Sequence, residues 1–235
     1  LRSLVGSEMC IRDRHTTMKY SDIYRLYSTS QPKDAIHQAL REVPVDDSDE
    51  QYEDRSPLHL ACQYGDTEGV KILLERDAEP NTKDANGSTP IHILGRTSAG
   101  CADEDKLKEI AVMLIEQGAN IPRSAKNTTA LIECIRNRHF KMAEAIIDSG
   151  ARVNSTDLNG ENVLFGFCAA SGDIRRDIRF AKKELDESVQ YRYPENKIEE
   201  IRSRIARLED DGETAYRLAR RLVEEDKADP EDKSN

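Results

Sequence analysis

No run of 18 apolar residues occurs in the 235-residue sequence, so no membrane span is expected. The glycines Gly95 and Gly100 are not followed by the Gly-Lys-Ser or Gly-Lys-Thr ending of a phosphate loop, which argues against nucleotide binding. The five cysteines include no Cys-x-x-Cys pair, so neither a disulfide framework nor a zinc site is expected. No nucleophile–base pair stands out, and no catalytic residue, metal or cofactor is assigned. Basic residues are outnumbered, 35 Lys and Arg against 45 Asp and Glu. The net charge of −10 disfavours a nucleic-acid partner, which would need a basic patch. Hydrophobic residues make up 37% and charged ones 34%, which is thin for one globular core. A repeat stack tolerates that balance, because it buries only a narrow continuous core.

The stretch that organises the chain is Asp84-Ala85-Asn86-Gly87-Ser88-Thr89-Pro90-Ile91-His92-Ile93-Leu94-Gly95. Asp84 to Gly87 suit a tight turn with positive φ. Thr89 can cap a helix with its hydroxyl, and Pro90 sits at the first helical position, where its missing N–H costs nothing. The pattern recurs at Ser56-Pro57-Leu58-His59-Leu60-Ala61, and more weakly at Thr129-Ala130-Leu131-Ile132, Asn162-Val163-Leu164-Phe165 and Thr214-Ala215-Tyr216-Arg217. The capping positions stand 33, 40, 33 and 52 residues apart. Second helices are expected at 70–75, 111–116 and 143–148, ending at Asp77-Ala78, Gly118-Ala119 and Gly150-Ala151. Glycine suits the left-handed position after a helix, and Asp77 is a poorer substitute. The unit from 84 is longer by eight residues between its helices, within Arg96–Lys108.

A 33-residue period with a Pro-apolar-His signature resembles the ankyrin repeat family, over about residues 21–225 and most strongly over 51–160. The resemblance implies an all-α fold: an ankyrin-type helix-pair solenoid with short turn fingers and extra helices at its C-terminal end. The expected organisation is a degenerate cap at 21–50 and repeats at 51–83, 84–123, 124–156 and 157–190. A helical insertion at 191–209 and a partial cap repeat at 210–225 follow. The resemblance also gives His59 and His92 a place in a hydrogen-bond network with the capping Ser or Thr, in preference to acid–base or metal chemistry. Cys62, Cys134 and Cys168 fall where the family usually has alanine and read as small buried thiols. Recognition in the family falls to finger tips and inner positions of first helices. Here these are Tyr52, Glu53, Arg55, Gln63 and Tyr64, then Ala85, Asn86, Ser88, Arg96 and Thr97, then Lys126, Thr128, Arg136 and Asn137, then Leu158, Asn159 and Glu161. Gln63-Tyr64 is the leading contact, against the alternative that Tyr64 packs on its own repeat.

The remaining stretches are read residue by residue. Residues 3–14 resemble a translated sequencing-library adapter and are set aside from fold reasoning, with 15–20 as a leader. Asp22 could cap a helix bearing Ile23, Leu26 and Tyr27, and Pro32 a second bearing Ile36, Ala39 and Leu40. The acidic stretch 42–54 reads as a solvated loop or as a finger that attracts a basic partner. Arg136, Arg138, His139 and Lys141 form a basic cluster, either solvated or a phosphate site. Ile198, Ile201, Ile205 and Leu208 form a stripe that seats on the stack or pairs with another chain. Gly212 is expected to reopen a turn, and residues 226–235 to be a disordered tail. The expected function is a non-catalytic module that binds another protein as a monomer, in a reducing, intracellular, cytoplasmic setting. The alternatives are a dimerisation module through 195–209 and the regulatory arm of a truncated larger enzyme.

Overall fold

A computed structural model describes residues 18–97, 103–120, 129–151, 163–191 and 194–228. The adapter-like segment and the end of the tail, 229–235, lie outside the described residues, as do Lys126, Thr128, Leu158, Asn159 and Glu161. Among the described residues the regular structure is helical, apart from one 3-10 turn at Glu50–Tyr52 and an isolated bridge between Asp49 and Arg55.

The helices come in pairs: α1 (Tyr20–Ser28) with α2 (Lys33–Glu42), α3 (Pro57–Gln63) with α4 (Thr67–Leu74), and α5 (Pro90–Gly95) with α6 (Glu104–Glu116). They are followed by α7 (Ala130–Arg136) with α8 (Phe140–Asp148) and by α9 (Val163–Gln190) with α10 (Glu195–Ala228). First helices form one row, α3 against α5, α5 against α7 and α7 against α9. Second helices form another, α2 against α4, α4 against α6, α6 against α8 and α8 against α10. One apolar cluster runs through all five pairs, from Ile23 and Leu40 through Leu73, Leu94, Leu114 and Ile146 to Phe167 and Leu222. Leu58, Ile91 and Leu131 occupy the same place in successive units of that cluster, and Leu164 packs against it.

Local chemistry sets the helix ends. Ser56, Thr89 and Thr129 are the N-caps of α3, α5 and α7, with Pro57 and Pro90 at the first helical position. The second helices close alike. At Asp77 (φ 60°), Gly118 (φ 85°) and Gly150 (φ 82°) the chain turns left-handed. Ala78, Ala119 and Ala151 then donate back to the carbonyls of Leu73, Leu114 and Ile146. Asp77 adopts that conformation despite its Cβ, which a glycine there would not have to accommodate.

Four expectations at the ends of the chain are corrected. Lys19, not Asp22, is the N-cap of α1; Asp22 lies one turn inside and its carboxylate accepts the Lys19 N–H at 3.1 Å. From Val163, α9 runs unbroken for 28 residues. Gly212 opens no turn, because α10 is continuous for 34 residues. Its glycine serves a close helix crossing, where an added Cβ would stand 3.3 Å from Ile174 Cγ2. Thr214–Arg217 is therefore no first helix. Ala215, Leu218 and Leu222 join the main core, and Arg217 and Arg221 pair with Glu144 and Asp148 of α8. The second half of α10 thus fills the second-helix slot of the fifth pair. The ends of α9 and α10 between them form an overhanging hairpin with its own small seam of Ala181, Leu185, Ile201, Ile205 and Leu208. The start of the expected disordered tail, up to Ala228, is helical. Cys62 and Cys134 are buried as expected, but Cys168 is exposed.

Candidate protein-interaction surface

The finger before α5 is built by one carboxylate. Asp84 Oδ1 accepts the N–H groups of Asn86 and Ser88 at 2.9 and 2.8 Å, while the Asp84 N–H donates to the Ser88 carbonyl. Gly87 supplies the left-handed residue of this turn, at φ 67°. In the preceding finger Glu53 and Asp54 hold left-handed conformations instead, at φ 61° and 52°. The two tips are joined by the Ala85 N–H donating to the Glu53 carbonyl at 2.7 Å.

His59 ties α3 to the finger that follows it. Its Nε2 lies 3.1 Å from the Ser88 carbonyl, which can only accept, so Nε2 carries the proton. Nδ1 is then the acceptor for the Ser56 N–H at 3.1 Å and the Ser56 hydroxyl at 2.9 Å. Burial lowers the His59 pKa, and the bond to Ser88 only partly offsets it, so the neutral ring is the folded form. Thr89 and His92 repeat the arrangement, with Thr89 Oγ1 2.9 Å from His92 Nδ1. This is the structural role expected of both histidines.

The proposed contact residues divide into two sets. Tyr64 is 37% exposed, and its ring stacks on Tyr27 of the preceding unit with centroids 4.8 Å apart. It therefore packs across a unit boundary and still offers an edge to solvent. Tyr52 lies between Tyr20 and Tyr24, at centroid distances of 5.6 and 4.2 Å. Glu53, Ala85 and Arg136 are exposed, and Asn86 half-buried.

The others are occupied within the fold. Arg55 donates to Gln63 at 2.8 Å and pairs with Glu53 and with buried Asp84. Arg96 donates to Ser88 Oγ at 3.1 Å and pairs with Glu133. Asn137 donates to the carbonyls of Gly95 and Glu133. Ser88 and Thr97 are buried, at 0% and 4% exposure, so they drop out of the contact set. Their carbonyls are needed inside, by His59 and by His139 Nε2 at 2.6 Å.

The basic cluster near 136–141 is also answered from within. Arg138 pairs with Asp177 at 2.8 Å, His139 with Glu104 at 2.6 Å and Lys141 with Asp105 at 2.7 Å. The acids Glu104 and Asp105 lie in the first turn of α6, directly after its N-cap Asp103. Buried Asp66 is a second link of this kind. It accepts from Tyr27 Oη at 2.9 Å and lies 3.0 Å from His37 Nε2. Nothing local in the sequence marks this group, since its members come from three helices or helix ends. The one pointer is Gly69, where an added Cβ would stand 2.7 Å from Asp66 Oδ2.

Among the described residues no group of three or more His, Cys, Asp or Glu is placed to hold a metal ion, and no helix is long and apolar enough to cross a membrane. The stripe of Ile198, Ile201 and Ile205 is buried, with Ile201 and Ile205 seated on α9.

Paired helices in two rows, linked by capped turns whose side chains reach the next unit, define a helical repeat-stack protein. The family model for ankyrin repeats (many copies) matches residues 39–94. The neurogenic locus notch homolog protein 1 of Mus musculus is 31% identical over 134 residues, covering 57% of this chain and 5% of that protein. A transient receptor potential cation channel subfamily A member 1 homolog of Caenorhabditis elegans is 38% identical over 69 residues, 29% of this chain and 6% of its own. The ankyrin repeat protein nuc-2 of Neurospora crassa is 29% identical over 124 residues, 52% of this chain and 10% of its own. This chain carries ankyrin repeats. It spans a tenth or less of the length of these relatives. Ankyrin repeats as a class mediate protein–protein interaction.

Proposed function

We propose that the chain is a non-catalytic module that binds a partner protein or peptide through the hollow face made by the finger tips and the inner ends of the first helices. The observation that supports this most directly is the tyrosine group at its N-terminal end. Tyr64 and Tyr52 keep part of their surface in water while Tyr27, Tyr20 and Tyr24 hold their rings in place. A ring held before binding offers contact area and a hydroxyl at small entropic cost. The same stretch carries exposed Glu42, Asp46, Glu50 and Glu53, a charge that speeds encounter with a basic partner.

The test is crosslinking and pull-down with Tyr64→Ala and Asn86→Ala chains. Recovery of the partner should fall at least fivefold for Tyr64→Ala; unchanged recovery with both variants removes the reading. Arg96→Ala is unsuitable as a contact probe, because it would break the pairing with Ser88 and Glu133. A second reading, the regulatory or interaction arm of a larger protein, draws on the size of the relatives. Recovery of the intact transcript would show any catalytic domain that accompanies the stack.

A further inference from the structure

Among the described residues, the helical glycines have visible reasons, with one exception. A Cβ added at Gly69 would stand 2.7 Å from Asp66, at Gly95 3.1 Å from Cys134 Sγ, at Gly166 3.2 Å from Ile135 and at Gly212 3.3 Å from Ile174. Each marks a close approach, Gly95 and Gly166 between first helices of neighbouring units, Gly69 against its own N-cap and Tyr27, and Gly212 within the last pair. Gly172 lies inside α9, where glycine weakens a helix relative to alanine, yet no described residue lies within 4 Å of an added Cβ.

Gly172 stands in a line of residues at helical spacing: Phe165, Ala169, Gly172, Arg176, Phe180 and Lys183. All six are exposed, Phe165 at 54% and Phe180 at 67%. The line runs opposite Val163, Phe167, Ala170 and Ile174, which face the core. In earlier units the equivalent face is covered by the next first helix. Cys62, Gly95 and Ile135 are buried there, and Cys168 at the same place in α9 is exposed. His59, His92 and Ile132 are likewise buried, at 0%, 0% and 3%, where α9 has Phe165. The open face of α9 thus continues the helix-on-helix interface already used between α3, α5, α7 and α9.

The charge on this face selects its occupant. Arg175, Arg176, Arg179 and Lys183 are all exposed here, in a chain whose net charge is −10. Arg176 meets Asp173 at 2.7 Å and Lys183 meets Glu187 at 3.8 Å on the same helix. A second copy laid on this face would set one cationic row beside another. We propose that the outer face of α9 receives an acidic amphipathic helix of a partner protein, with the apolar side of that helix on Phe165, Ala169 and Phe180 and its backbone crossing at Gly172. This contact surface goes beyond the tyrosine-lined face and does not depend on it.

The experiment is selection of a displayed library of helical peptides on the full chain, counter-selected on a Phe180→Ser chain. The selected peptides are then synthesised and titrated. Peptides rich in Asp and Glu beside an apolar face are expected, with binding that weakens as salt is raised. Gly172→Leu should weaken them at least tenfold, and Tyr64→Ala should leave them unchanged. Gly172→Ala should raise the melting temperature of the free chain, so a loss of binding in that variant is not unfolding. Peptides without acidic bias, or indifferent to Gly172→Leu and Phe180→Ser, overturn the proposal. So does a dimer in sedimentation that Gly172→Leu dissociates, because the occupant would then be a second copy.

Discussion

The four pairs from α1 to α8 and the overhang of α9 and α10 are both helix on helix, but different forces hold them. In the stack, apolar side chains are buried to the last few per cent, and buried polar groups cross every boundary: Asp66 to Tyr27 and His37, His59 to Ser88, His139 to Thr97 and Glu104. In the overhang the apolar seam is five residues, and the rest is surface pairing such as Arg204 with Glu184 and Lys182 with Glu209. Exposed pairs contribute about 0–1 kcal/mol each, whereas a buried donor or acceptor left without its partner costs about 1–3 kcal/mol. The stack therefore carries both the stability and the register, and the overhang is the part that opens at lowest free energy.

The largest effect expected from this contrast is in apolar truncation. Leu73→Ala, at a fully buried stack position, should cost about 3 kcal/mol in urea unfolding. Ile201→Ala, in the overhang seam, should cost about 1–2 kcal/mol, because a nearby surface lets the site collapse or fill with water. Its signature should be faster amide exchange in 181–208 with stack amides unchanged. If exchange rises equally in both regions, they unfold as one unit and the contrast fails.

Smaller is the effect of a single atom. Tyr27→Phe keeps the stacking on Tyr64 but removes a donor from buried Asp66. A hydrogen bond to a charged group contributes about 1.5–3 kcal/mol, and calorimetry should show that loss. A variant as stable as the parent would mean that His37 alone satisfies the carboxylate. Smallest over the neutral range is the pH dependence from His59. Burial holds its pKa below the ordinary 6.5, so the unfolded chain binds the proton more readily. Its contribution is full above about pH 6.5 and is lost as pH falls through the folded value. The urea midpoint of His59→Gln should approach that of the parent as pH drops below 6.5, and parallel curves would remove His59 as the cause.

Much of the stack can be read from short-range chemistry. Thr89-Pro90 and Ser56-Pro57 mark where α5 and α3 begin, and Gly118 and Gly150 where α6 and α8 end, because a cap or a left-handed residue acts within four residues of itself. The contact set was harder to foresee. Ser88 and Thr97 occupy positions that look open in a single unit, and both are closed by a histidine from a neighbouring unit, 29 and 42 residues away. Gly172 and Gly212 look like the same punctuation in sequence. One is an exposed point on a continuous helix, the other a crossing against Ile174, and neither makes a turn.

What the amino-acid order decided alone is the repeating unit: its caps, its finger chemistry and the apolar side of each helix. All of these follow from interactions spanning a helical turn or less. Tertiary structure decided which polar side chains were consumed between units, and that the last pair would extend into an overhang instead of closing. Those outcomes depend on groups brought together from far apart in the sequence, 29 residues for His59 and Ser88 and 73 for Arg221 and Asp148. Until the rows of helices are stacked, no local pattern distinguishes a side chain held by its neighbour from one left facing water.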